Sequence, residues 1–220
     1  MGMVAIVDRV VYNPLMAMDS SKTASELPAR ERILLAAHDL FYRDGIRATG
    51  VDKVIAESGV TKVTFYRHFP SKNDLIRAFL DYRHRLWMEW FADAIRRCGG
   101  RPGSGLSPLV QVMEEWFRKP IYRGCAFINS VAEMGGALPD VVEICHRHKQ
   151  DMAMAIRELL ADTPQRDALA QAAAIAIDGA IVRAQTEARD ADVKQSLDSL
   201  ALLLSALQAT STPFAEAAQH

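Results

Sequence analysis

Residues 59–75 read GVTKVTFYRHFPSKNDL, and the fold follows from how this stretch is punctuated. Gly59 can take the positive φ that closes a preceding helix, and Thr61 can cap the next one by offering its hydroxyl to an amide two or three residues on. That next helix has room only for Lys62 to Phe69, because Pro70 bars its continuation and Ser71 opens another. Upstream, a helix over 51–58 turns Val51, Val54 and Ile55 inward. Before that, a helix from Pro28 to Gly45 buries Ile33, Leu34, Ala37, Leu40 and Phe41 at three-and-four spacing. Two short helices, a glycine turn and a supporting helix in front predict a helix-turn-helix.

Beyond it the periodicity stays helical, and no run alternates apolar with polar residues as a half-buried strand would. A long helix is expected from Ser71 to Cys98, ending at Gly99 and Gly100, and GGRPGSGLSP is the clearest break in the chain. Further helices are expected at 107–119, 125–134, 139–161, 165–188 and 190–208. The fold class is all-α, with an N-terminal three-helix helix-turn-helix domain and a larger C-terminal helical domain. The expected divisions are a disordered leader over 1–24, the helix-turn-helix domain over 25–75, the second domain over 76–210 and a frayed tail over 211–220.

The 220 residues carry a net charge of −1, which excludes a protein that is basic throughout. Residues 29–77, however, hold nine Lys/Arg against six Asp/Glu, and 78–220 hold fifteen against eighteen. A basic end joined to an acidic remainder suggests one module for an anion and another for a different partner. Cys98, Cys125 and Cys145 are odd in number, widely spaced and without a CxxC pair, so neither a disulfide framework nor a zinc ribbon is expected. The opening MGMVAIVDRVVYNPLMAM contains Asp8 and reads neither as a membrane span nor as a secretory signal. A cytoplasmic protein is expected.

On a helix from Lys62, Phe65 and Phe69, with Val60 just before, face the first two helices. Lys62, Val63, Tyr66 and Arg67 face outward, with His68 toward the exit. Such a surface suits double-stranded DNA. Lys72 and the Tyr66 hydroxyl would hold register on phosphates, Arg67 would read a guanine with Lys62 as the alternative, and the free amides at Ser71 would offer a second phosphate site. A solvated basic helix has the same composition, so charge alone does not decide between them.

The spacing does more. Residues 30–76, with GIRATGVDKVIAESGV running into TKVTFYRHFPSKNDLI, resemble the DNA-binding domain of TetR-family transcriptional regulators. The resemblance implies that Tyr66 and Lys72 contact phosphates and that Lys62, Val63, Thr64, Arg67 and His68 face bases or backbone. The helix-capping Thr61 completes that surface. Gly50 stands where the family usually has a capping Ser or Thr, and Thr49 is the expected substitute for its phosphate contact. Ile55 occupies a place more often filled by alanine. The segments RGCAFINSVAEMGG (123–136) and IDGAIVRAQTEAR (177–189) resemble the regulatory domain of one subgroup. The resemblance implies a small-molecule pocket there and pairing through the last two helices.

The residues themselves offer material for both. Trp87, Trp90, Phe91, Met113, Trp116, Phe117, Phe127 and Met134 could line an apolar cavity, with Asn129 orienting a ligand, although such stripes also serve as plain core. Ala173, Ile177, Ala180 and Ala184 on one helix, with Leu200 and Leu204 on the next, would form a four-helix interface in a homodimer, or pack inside one subunit. Cys145, His146, His148 and Asp151 lack a distant ligand pair, so a surface histidine cluster is the expected reading and no metal is assigned. Cys125 or Cys145 could act as a thiol sensor. No GxGxxG, Walker or GxSxG loop is present, and neither an enzyme nor a cofactor is expected. The expectation is a homodimeric regulator, a repressor released from a pseudo-palindromic operator by a small-molecule effector. Its rival is an architectural or division-linked DNA-binding factor without an effector.

Overall fold

The computed structural model describes residues 27–187 and 193–210; the expected leader and the tail over 211–220 lie outside them. Among the described residues the chain is all-helical: α1 Ala29–Asp44, α2 Val51–Ser58, α3 Lys62–His68, α4 Lys72–Arg97, α5 Pro108–Phe117, α6 Ala126–Met134, α7 Pro139–Arg157, α8 Arg166–Thr186 and α9 Val193–Thr210. No helix among them is long and apolar enough to cross a membrane. The ends follow local chemistry. Gly45 takes φ 91 and its amide donates to Phe41 O, which stops α1. Ser71 accepts the Asp74 amide at 3.1 Å and donates to the Asp74 carboxylate at 2.7 Å, which starts α4. The helix expected over 139–161 stops at Arg157, because Leu159 and Leu160 turn back onto the Ile156 and Arg157 carbonyls.

The chain divides into two compact units, 27–87 with 126–146 and 88–125 with 147–187 and 193–210; α4 and α7 contribute to both. The division differs from the expected boundary between 75 and 76. One reason is visible inside the first unit, where α6 and the start of α7 are tied to the helix-turn-helix and to α4 by Arg47–Glu133 and Arg77–Asp140 contacts. The core of that unit is Ile33, Ala37, Leu40, Phe41, Val54, Phe65, Phe79 and Leu80. The Phe41 and Phe79 rings meet edge to face at 5.4 Å. Of Val51, Val54 and Ile55, expected inward on α2, Val54 is fully buried and the other two are half-buried; Ser58 is buried as well.

In the second unit α8 packs along α9, and α5 packs against both. The face expected to meet a second subunit proves to be this internal seam. Ala173, Ile177, Ala180, Ala184, Leu200 and Leu204 are all buried within one chain. Their small or matched side chains let the two helices close on each other, which a hairpin of two long helices needs before any partner arrives. The opposite face carries Ile175, 71 % exposed, with Val182, Leu202 and Leu203. The expected surface histidine cluster is also corrected. His146 is exposed, but His148 and Cys145 are buried, and they fall in different units.

Candidate DNA-binding surface

The recognition helix is built by its neighbours. Gly59 sits at φ 62 and returns its amide to Ala56 O, ending α2, while the Arg32 guanidinium on α1 donates to Ser58 O at 3.2 Å and braces the turn. The Thr61 hydroxyl accepts from the Thr64 amide at 3.2 Å and so caps α3. Phe65 and Phe69 are buried, with rings 6.3 Å apart. The Arg30 guanidinium lies over Phe69 at 5.2 Å. A seven-residue helix is too short to persist alone, so this aromatic anchor holds it in place.

Anchoring that side exposes the other. Val63 is 79 % and Tyr66 42 % exposed, large hydrophobic surfaces left in water. Lys62 and Arg67 lie beside them in the open, and Thr64 and His68 are half-buried. Lys62 pairs loosely with Asp52 across 3.7 Å, a surface contact that costs little to break. Arg43 and Lys53 both grip Asp44 at 2.8 Å, joining the end of α1 to α2. Those two cations hold the Asp44 carboxyl far below the usual carboxylate range.

Two expected phosphate ligands point elsewhere. Thr49 is wholly buried, and its hydroxyl donates to Gly45 O at 2.7 Å. It therefore caps nothing in α2, whose first turn has no side-chain cap at Gly50. Lys72 turns its ammonium back onto Ile46 O at 2.6 Å, with the Phe41 ring 5.9 Å away. Burial lowers the pKa of Lys72, and the charge of Glu133 partly restores it. At the start of α4 the Asp74 amide donates to the Ser71 hydroxyl at 3.1 Å, and the Asp74 carboxylate, which accepts from Ser71 and Arg77, puts a negative charge in the first turn, where a phosphate would have to sit.

The residues expected to line a ligand cavity divide between the two units. Trp87, Phe127, Asn129 and Met134 belong to the first; Trp90, Phe91, Met113, Trp116 and Phe117 belong to the second. Within the second, Trp90, Trp116 and Phe117 do gather, and Trp116 meets Tyr122 edge to face at 5.3 Å. Sequence reading missed Tyr122, whose hydroxyl donates to Ile181 O at 2.7 Å. It also missed Arg47 and Glu133. Glycine–isoleucine–arginine after a helix carries no signal of a partner 86 residues on.

Residues 33–79 match the family described as bacterial regulatory proteins, tetR family. The transcriptional regulator AcuR of Cereibacter sphaeroides is 33 % identical over 177 residues, covering 73 % of this chain and 78 % of that protein. Among solved structures, SCO4454, a TetR-family transcriptional regulator from Streptomyces coelicolor, superposes with a TM-score of 0.68 at 29 % identity, over 82 % of this chain and 96 % of that one. The multidrug binding protein EbrR, solved in complex with malachite green, shares the fold with a TM-score of 0.62 at 19 % identity, over 80 % and 97 % of the two chains.

Proposed function

Because this chain belongs to the TetR family of transcriptional regulators, we propose that it acts in the cytoplasm as a homodimeric repressor, released from a pseudo-palindromic operator by a small molecule bound in its C-terminal core. The observation that carries the reading is the outward face of α3. Lys62, Val63, Tyr66 and Arg67 stand in solvent on a helix whose other side is anchored by Phe65 and Phe69. Arg67 is the residue for guanine readout, and the Tyr66 hydroxyl serves a phosphate.

A single copy of α3 spans only one half-site, and two copies must sit about 34 Å apart to follow one groove face. The stripe of Ile175, Gly179 and Val182 along α8, with Leu202 and Leu203 on α9, supplies a surface for that pairing. A side chain added at Gly179 would meet nothing within 4 Å in the single chain, so the stripe is open to a partner helix. An effector would act by favouring a conformer in which the two recognition helices no longer match the operator spacing. Operator and effector would then weaken each other by the same factor.

The test is fluorescence anisotropy of the wild type and a Tyr66→Phe, Arg67→Ala double variant on tiled DNA flanking the gene, at two salt concentrations. Saturable, salt-sensitive binding to one tile, lost in the variant, is the expected result. Equal weak binding to every tile would indicate an architectural role instead. A thermal-shift panel then seeks the effector, with malachite green as one aromatic-cation probe, since a ligand of the native state raises the melting temperature.

A further inference from the structure

The segment from Gly45 to Gly50 joins α1 to α2 and decides where the helix-turn-helix begins. Its backbone groups are held one at a time. Thr49 donates to Gly45 O at 2.7 Å, Lys72 donates to Ile46 O at 2.6 Å, and the Arg47 amide donates to Glu133 Oε2 at 2.8 Å. The first two partners lie in the segment itself and at the start of α4. The third is in the last turn of α6. Glu133 engages Arg47 a second time, because its own carbonyl accepts from Arg47 Nε at 2.5 Å.

The fit is close. A Cβ built on Gly45 would come within 3.2 Å of Glu133 Oε2, and the φ of +91 there already favours glycine. The same carboxylate acts on the Lys72 ammonium. A second tie holds the neighbouring corner, where Arg77 Nε on α4 donates to Asp140 Oδ2 on α7 at 2.8 Å. Both ties lie within the first compact unit.

We propose that Glu133 is a positioning residue for DNA binding: by holding Arg47 it fixes the segment from which α2 starts, and with it the attitude of α3. The inference rests on the reading of the chain as an operator-binding regulator. The contact is near the surface, so its loss should leave global stability almost unchanged. A loop that keeps its Thr49, Lys72 and Arg47 Nε bonds but loses the carboxylate at the Arg47 amide would, by contrast, let the recognition helix sample orientations that cannot reach base edges.

The experiment uses the full-length protein with Glu133→Ala and Glu133→Gln, on the operator tile and on a random duplex, together with hydrogen exchange at the Arg47 amide. In Glu133→Ala the expected result is faster exchange at Arg47 and operator affinity reduced on the order of fivefold, the scale of one ordinary net hydrogen bond. Random-duplex affinity and melting temperature should hold. Glu133→Gln retains a side-chain carbonyl that can accept from the Arg47 amide and should restore most of both losses. Unchanged operator affinity in Glu133→Ala, an equal loss on random DNA, or no recovery in Glu133→Gln would each overturn the role. Failure of the wild type to bind any tile would sink the operator reading itself, which is a different result from a wild type that binds and a variant that binds equally well.

Discussion

Arg83 donates from Nη1 to Nε2 of His38 at 3.2 Å, and this contact decides the tautomer of a buried histidine. A guanidinium cannot accept, so Nε2 must be the acceptor and Nδ1 carries the proton that it offers to Asp39 Oδ1 at 3.1 Å. Arg83 also lies over the Tyr42 ring at 4.2 Å, while the His38 ring meets Phe79 and Tyr82 edge to face. The pair joins α1 to α4 and needs a neutral imidazole.

Acid should therefore loosen this joint. Burial lowers the pKa of His38; the Asp39 hydrogen bond opposes that, and the Arg83 charge adds to it. The unfolded chain thus takes up the proton near the ordinary value of about 6.5 while the fold resists it. The contribution is present above that pH and is lost as pH falls below it. Between pH 7.5 and 5.5 the wild type should lose more melting temperature than His38→Gln, which can still accept from Arg83. Parallel curves for the two proteins would remove His38 from the acid response.

Lys72 and Arg67 should separate cleanly. Lys72→Ala removes a charge and the bond to Ile46 O, so it should lower the melting temperature and weaken binding to all DNA sequences alike. Arg67 stands exposed on α3, and Arg67→Ala should leave stability untouched while relaxing choice at one base pair by about 1–3 kcal/mol. Calorimetry alongside binding to a single-substitution operator panel measures both. Identical profiles would show that the assigned roles are mistaken.

Gly59, at φ 62, should tolerate asparagine better than alanine. Gly59→Ala is expected to cost about 1 kcal/mol in urea unfolding, since only a residue with local polar compensation visits the left-handed region easily. Equal midpoints for the alanine variant and the wild type would contradict the turn geometry.

The two faces of α8 should respond differently to substitution. Ile175→Glu places a charge on the exposed stripe and should leave a folded single chain by sedimentation, with operator binding lost where the wild type saturates. Ala173→Leu overfills a fully buried position and should destabilise the chain itself by about 1–3 kcal/mol. A dimer that survives Ile175→Glu would move the pairing surface elsewhere.

What the sequence determined by itself was local. Gly45, Gly59, Thr61, Pro70 and Ser71 place the ends of α1 and α2, both ends of α3 and the start of α4 within a residue or two, because caps, positive φ and a missing amide act over one turn of chain. The exposure of Lys62, Val63, Tyr66 and Arg67 followed once Phe65 and Phe69 were placed on the inner face, since helical spacing alone separates the two. Tertiary structure decided which groups were already occupied. Thr49 and Lys72 look available in the sequence, yet Gly45 O and Ile46 O claim them, and no periodicity announces a backbone carbonyl in need of a donor. The seam of Ala173, Ile177, Ala180 and Ala184 was legible as a stripe of close approach, but a stripe does not say which helix approaches; α9 of the same chain took it. Glu133 and Arg47 meet only because α6 folds back beside the loop after α1, a proximity that packing creates and linear spacing does not encode.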